Sequence, residues 1–460
     1  MSDPNLQLRR LVVRNFRQIT EFDTWLPENF QVLCLVGRNG SGKSALLSIL
    51  AHALCQLTHE SIPDFDNDPA RGEYPLNAGF SKREIGKRGQ SFYVGSHWST
   101  IADPLTHHTF VRYGEGPSDE LTKQAIKEIG LPDPSPSYVG WDKRPSPAND
   151  PISRSVLLFR PSNRFEWLEA DRNGVTDGSC TDATKLPDFA PTWSDFRRGD
   201  GDGEARRILA VRPQSGLRIL EALAASAVDE VTSGLAQRWA DKVGTLLEVL
   251  LGGRPRFQPY SDGTLGISGR CDTLSLLSAG EADVLVTAGY IAAQQLYVES
   301  KFGRRAEDPW GASGWVFIDE VESHLHPDWQ DRILPRLCDQ FPNIRFVVTT
   351  NSPFVLRSLK ERAVVVRLPD GRSFCEDFAG LGIEGISRHL FEVPAGWNSE
   401  IENDLQRLEN CAVDPEKHDE AVSRYHDLAH RSSSLRSRCD RIVSAYGTPE
   451  LFDKVVKADA

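Results

Sequence analysis

Residues 37–44 read Gly-Arg-Asn-Gly-Ser-Gly-Lys-Ser, the GxxxxGK[ST] spacing of a phosphate-binding loop. Much of the chemistry such a loop performs is done by its backbone. Gly37, Gly40 and Gly42 let the chain curl until successive N–H groups face one anion, at a helix start where the dipole favours negative charge. Asn39 and Ser41 lie between them and complete the cradle. Lys43 would reach the β- and γ-phosphates, and Ser44 would ligate Mg²⁺. Together these residues predict binding of a nucleoside triphosphate with Mg²⁺.

Two apolar stretches further along end in polar groups. Trp315-Val316-Phe317-Ile318-Asp319-Glu320 reads as a buried strand delivering two carboxylates at its C-terminal edge, where α/β sheets place their chemistry. Asp319 would hold the metal through its water shell, and Glu320 would orient or deprotonate the attacking water. Phe346-Val347-Val348-Thr349-Thr350-Asn351 is a second such strand. Between the loop and these strands, Leu277-Ser278-Ala279-Gly280-Glu281 opens a long helix through Val284, Ala288, Ile291 and Gln295. A serine hydroxyl and a glycine backbone at a helix start, here Ser278 and Gly280, form a further anion site.

Elements to position these groups are legible nearby. Val32–Val36 is an apolar strand entering the loop, and 45–50 continues as a helix. Residues 58–213 are rich in Pro, Gly, Asp and Ser, with short aromatic patches and a return strand at 155–159, and predict an inserted lobe. Leu217, Leu220, Leu223, Ala227 and Val231 form one helical stripe, continued by Leu246, Leu247, Leu250 and Leu251. The division expected is 1–57 and 214–375 as the two parts of a head, 58–213 as the insert, and 376–460 as a helical tail. In that tail Ile401, Leu405 and Leu408 make one amphipathic helix, and Leu435, Cys439, Ile442 and Tyr446 another.

Composition limits the classes of function. The 460 residues carry 39% hydrophobic and 26% charged side chains and a formal charge of −12, a balance that speaks against broad coating of a phosphate backbone. Eight cysteines stand singly with no CxxC pair, so reduced, buried thiols are expected rather than a disulfide framework or zinc site. No apolar run approaches a membrane span and the first residues open no signal peptide, which predicts a cytoplasmic protein. No sustained heptads occur, so no long coiled coil is expected.

The four motifs in this order resemble an ABC-type ATPase head, with 277–281 resembling the LSGGQ signature. Ile318-Asp319-Glu320-Val321-Glu322-Ser323-His324-Leu325-His326-Pro327, Thr350-Asn351-Ser352-Pro353-Phe354 and Asn15-Phe16-Arg17 look more specifically like the OLD-like and Septu PtuA-like ATPases of bacterial antiphage systems. The resemblance covers roughly 7–57 and 155–375. It implies an α/β, ABC-type P-loop head with an inserted mixed lobe and a helical C-terminal tail. It also implies ATP sandwiched between two heads of a homo-oligomer, by the phosphate loop of one and Ser278-Ala279-Gly280-Glu281 of the other. His324-Leu325-His326 falls where the family's D-loop crosses that interface; its two imidazoles lack a third ligand for a metal.

This sequence departs from the family where a γ-phosphate-sensing histidine usually stands. Asn351 can donate a hydrogen bond there but can carry neither proton nor charge, which predicts slow turnover. Asn163, Arg160 or Arg164 are the candidates for the glutamine-loop position. The tail has neither the length nor the DxD pair of a Toprim nuclease, so the expected arrangement is an ATPase that holds a separate effector nuclease. The alternative is a DNA-repair ATPase of RecF/Rad50 type binding DNA between paired heads; a transporter subunit fits less well, given the long turn-rich stretch between Lys43 and Leu277.

Overall fold

The computed structural model describes residues 6–16, 18–55, 92–99, 107–113, 138–141, 155–160, 233–251, 256–259, 265–271, 273–302, 310–359, 362–375, 378–391 and 399–459. They fall into two compact units, 1–380 and 381–460. The expectations for Asn163, Arg164, the stripe at 217–231 and most of the insert lie outside the described residues.

The first unit is built on two sheets. Strands β1 (Gln7–Phe16), β2 (Ile19–Trp25), β4 (Phe92–Ser99), β5 (His107–Tyr113) and β6 (Tyr138–Trp141) form an antiparallel sheet in the order β2-β1-β4-β5-β6. From Glu21 to Trp25 β2 alternates, with Phe22 and Thr24 buried between the exposed Glu21, Asp23 and Trp25, the period-two pattern of a half-covered strand. Three strands from the segment expected as an insert therefore extend the head's own sheet from β1.

The second sheet runs β13-β12-β3-β11-β10-β7, where β3 is Val32–Val36, β7 Val156–Arg160, β10 Gly314–Ile318, β11 Ile344–Thr349, β12 Ala363–Arg367 and β13 Arg372–Phe374. All but the edge strand β13 are parallel. β3, β7 and β10 are buried at every residue, as a sheet covered on both faces requires. Helix α1 (Lys43–Cys55) turns Leu46, Leu47, Leu50, Ala51 and Leu54 into a core that draws residues from both sheets. At its centre the Trp98 and Trp315 rings meet edge to face, 5.0 Å between centroids.

Two long helices pack against each other, one of them lying on β7 of the parallel sheet. α2 (Ser233–Leu251) buries Trp239, whose indole N–H donates to Gly289 O at 2.8 Å and ties it to α3 (Ala279–Phe302). In α3 Val284, Ala288, Ile291 and Gln295 are all buried, the stripe the sequence predicted. Among the described residues no helix is long and apolar enough to cross a membrane. Short helices α4 (Pro327–Gln330), α5 (Ile333–Gln340) and α6 (Pro353–Arg357) complete the unit.

The second unit is helical: α7 (Gly382–Leu390), α8 (Ser399–Val413), α9 (His418–Ala429), α10 (Ser433–Tyr446) and α11 (Pro449–Asp459). Leu405, Leu408, Tyr425, Leu428, Leu435, Cys439, Ile442 and Leu451 share its core. The two helices expected here lie at α8 and α10, with one correction: Val443, not Tyr446, is the buried residue, and Tyr446 is exposed. Cys34, Cys411 and Cys439 are buried free thiols, and Cys375 is an exposed one.

Candidate functional site

β3 lies between β12 and β11, so the loop that leaves it opens at the C-terminal edge of the parallel sheet, beside the ends of β11 and β10. Ligands of open α/β sheets bind there. Gly37, Gly40 and Gly42 take φ values of 145°, 81° and 97°. Gly37 is constrained twice over: a Cβ there would stand 2.4 Å from Leu368 O and 2.8 Å from Ser41 Oγ. Arg38, Asn39 and Gly40 form the exposed lip of the loop, while Ser41 and Lys43 are buried.

The Lys43 ammonium, 7% exposed, donates to Gly37 O at 2.8 Å and Arg38 O at 3.2 Å. Burial holds its pKa below the ordinary lysine value, against the pull of Glu322, Asp319 and Glu320. Ser41 Oγ is buried with no hydrogen-bond partner among the described residues. A glycine loop with no Cβ in the way, a buried cation and an unsatisfied hydroxyl fit a polyphosphate. Ser44 and Asp319 are the oxygen donors that could hold its divalent metal.

The acidic end of β10 is braced by β11. Parallel register pairs Ile318 with Val348, so the next residues, Asp319 and Thr349, come level. Thr349 is fully buried; its hydroxyl donates to Asp319 Oδ1 at 2.6 Å and accepts from the Glu320 N–H at 2.7 Å. Glu320 carries a left-handed backbone, φ 49°, which costs a non-glycine residue about 1–3 kcal/mol and persists only when its surroundings enforce it. Ser323 Oγ donates to Glu320 Oε2 at 3.2 Å.

Glu322 completes the corner. Its Oε1 accepts the Asn351 N–H at 2.7 Å, while Oε2 is buried without a hydrogen-bond partner among the described residues. Burial pushes its carboxyl above the ordinary value, partly countered by the Asn351 N–H and the Thr350 side chain. Asn351 itself is exposed at the mouth. Ser352 then caps α6, accepting from Phe354 N and Val355 N, and donates to Gln330 Oε1 at 2.6 Å. The segment after β11 is thus bonded to the turn after β10 through Asn351 and Glu322, and to α4 through Ser352 and Gln330.

Gly280, in the first turn of α3, is packed against that same turn. A Cβ on it would meet His324 O at 2.6 Å, and His324 holds φ 62° to present this carbonyl. Gly280 therefore permits a close backbone approach, while Ser278 and Ala279 are exposed beside it. His326 Nδ1 accepts from Asp328 N and caps α4. Arg160, at the end of β7 where its carbonyl accepts from Asp319 N, is fully buried and its guanidinium pairs with Asp283 of α3.

Gly37, Asn39, Gly40, Ser41, Gly42, Lys43, Ser44, Asp319, Glu320 and Asn351 are thus borne by the same edge of the parallel sheet. Ser278 lies at the start of α3 on the far side of the 320–324 turn. Thr349 and Glu322 were not singled out by sequence. Thr349 becomes recognisable only once β10 and β11 are known to be parallel neighbours ending level.

Residues 273–357 match a family model described as "AAA domain, putative AbiEii toxin, Type IV TA system". Over 122 residues the chain is 35% identical to "Retron Ec83 probable ATPase" of Escherichia coli, 25% of this chain and 21% of that protein. It is 32% identical over 108 residues to "Retron Vc95 probable ATPase" of Vibrio cholerae, covering 24% and 20%. A 57-residue stretch is 47% identical to "Septu protein PtuA" of Bacillus mycoides, 12% of this chain and 8% of that one. The matches to the two retron proteins thus span about a fifth of those relatives' own length. Among solved structures, an Smc head from Pyrococcus furiosus covers 80% of this chain and 95% of its own at 12% identity, with a TM-score of 0.41. The recombination mediator RecF with ATP covers 80% and 99% at 13% identity, with a TM-score of 0.37. The head fold itself follows from the strand order and the place of the phosphate loop in it. In these segments the chain is similar to the two retron proteins and to the Septu protein PtuA, and the resemblance to antiphage-defence ATPases read from its motifs stands.

Proposed function

We propose that this chain binds Mg²⁺–ATP and hydrolyses it slowly, pairs head to head around the nucleotide, and regulates a separate effector nuclease in antiphage defence. The observation that carries the ATPase part is the Thr349 hydroxyl bridging Asp319 and Glu320 beside the buried Lys43. Lys43 would bind the β- and γ-phosphates, Ser44 and Asp319 the metal, and Glu320 the attacking water. When bound, the metal would neutralise charge developing on the γ-phosphate. Asn351 stands at the sensing position with an amide, which offers a hydrogen bond without a charge; slow turnover suits a switch that reports ATP occupancy.

The effector part rests on the likeness to defence ATPases and on a second compact unit, 381–460, that carries exposed Phe452 and Val456 on α11. Lys43→Ala should abolish binding of a fluorescent ATP analogue, and Glu320→Gln should retain binding while stopping phosphate release. Binding that survives Lys43→Ala would refute the assignment of the loop. Asn351→His should speed hydrolysis; an unchanged rate removes this explanation of slow turnover. Co-expression with neighbouring genes then tests the partner. A stable assembly with a nuclease supports the reading, and a lone oligomer whose turnover DNA accelerates favours the DNA-repair alternative.

A further inference from the structure

The signature resembled at 277–281 carries a glutamine in its fifth place, whereas this chain carries Glu281. A carboxylate at the mouth of an anion site is electrostatically wrong unless something cancels it. Glu281 is buried and accepts from both the Ser278 N–H, at 2.8 Å, and the Ser278 hydroxyl, at 2.7 Å. It is the reciprocal half of a capping box, and it fixes the serine's rotamer. Its other oxygen is ion-paired with Arg270.

Arg270 is delivered by a structure of its own. It follows β9 (Leu265–Ile267), the partner of β8 (Phe257–Pro259), in a tight turn closed by Ile267 N–Cys271 O at 2.8 Å and Arg270 N–Ile267 O at 3.0 Å, with Gly269 at φ 71°. The Arg270 side chain remains 42% exposed, and Ser278 and Ala279, which shortly precede its carboxylate partner along the chain, are exposed as well. Leu276, two residues before Ser278, is 69% exposed. An arginine and a bare leucine share this end of α3, a combination suited to contact with another protein surface bearing an anion.

We propose that Arg270 is a positioning residue for the paired state: it neutralises Glu281, so that the carboxylate can orient Ser278 without repelling the γ-phosphate bound to a second copy of this chain. This rests on the head-to-head reading. The role is electrostatic, so it predicts compensation: losing both charges is milder than losing the positive one alone.

The test uses the full chain with Glu320→Gln throughout, so that ATP-bound pairs accumulate, and measures association by sedimentation with Mg²⁺–ATP. Adding Arg270→Ala should weaken pairing by about tenfold or more, as an uncompensated like charge at an interface does. Adding Glu281→Gln as well should restore most of the loss. Affinity for the fluorescent analogue in the unpaired protein should be the same in all three, because the phosphate loop is untouched. If the Glu320→Gln protein does not pair with ATP at all, the head-to-head reading fails. If it pairs and Arg270→Ala pairs equally well, or if Glu281→Gln restores nothing, the counter-ion role is overturned while that reading survives.

Discussion

Replacing Thr349 by valine keeps the shape of a fully buried side chain and deletes one oxygen that serves two partners. The Glu320 N–H, held at 2.7 Å, loses its acceptor, and Asp319 Oδ1 loses a donor at 2.6 Å. A buried group left without its bond costs about 1–3 kcal/mol, so the variant should be about 2–4 kcal/mol less stable, read as a lower denaturant midpoint at unchanged slope. The larger effect should be kinetic. Glu320 keeps its φ of 49° because this bond and its neighbours hold it, and release lets the turn relax and carry the carboxylate away. Each 1.4 kcal/mol of lost positioning is about tenfold in rate, which puts the fall in single-turnover phosphate release at roughly 10–100-fold. Triphosphate affinity, set by the loop on β3, should stay within about threefold. Thr349→Ser, which keeps the hydroxyl, should recover most of the rate. A valine variant that hydrolyses ATP like its parent would show that the bridge neither holds Glu320 nor matters to the chemistry.

Three further outcomes follow from neighbouring features. Gly37→Ala forces a Cβ to within 2.4 Å of a backbone oxygen at φ 145°, and such strain of about 1–3 kcal/mol should distort the loop and lower triphosphate affinity at least about tenfold, by calorimetric titration. Glu322→Gln should stabilise the protein near pH 7–8. The folded state keeps the Glu322 proton to higher pH than the unfolded chain, whose ordinary value is 4.5, because burial disfavours its charge. Its stabilising contribution is therefore present below 4.5 and lost as pH rises through the folded value, so the variant's advantage should vanish on acidification below 4.5; an advantage independent of pH would show that its source is not ionisation. Asp283→Ala strips the buried Arg160 of its carboxylate partner and should cost about 3 kcal/mol or more, with Arg160→Met/Asp283→Leu recovering much of it in thermal unfolding.

What could be read from the sequence was whatever is local. The loop, α1, the buried strands β3, β10 and β11 and the stripe of α3 announce themselves through spacing and periodicity within a dozen residues. Pairing across long stretches does not. Nothing in Phe92–Ser99 says that it lies against β1, and Thr349 looks like any strand-end threonine until β10 is placed beside it. The Glu281 partner comes from a turn with no period at all. In the second unit α9 buries His418, Ala421, Tyr425, Leu428 and Ala429, and a stripe with two alanines and a histidine is too faint for a hydrophobic pattern to expose. Tyr446, spaced like a core residue, ends exposed because α10 stops there and Val443 has taken the inward place.

The order β12-β3-β11 has a consequence for the birth of the protein. Both neighbours of the strand that carries the phosphate loop are translated about 300 residues after it. At ribosomal speeds of roughly 5–20 residues per second, β3 spends on the order of 15–60 s with two unpaired edges, one of the most aggregation-prone conditions an apolar strand can be in. Nascent chains that stop short of β11 would hold the complete nucleotide-binding motif and still be unable to seat a nucleotide, so occupancy of the site reports that nearly the whole head has been made.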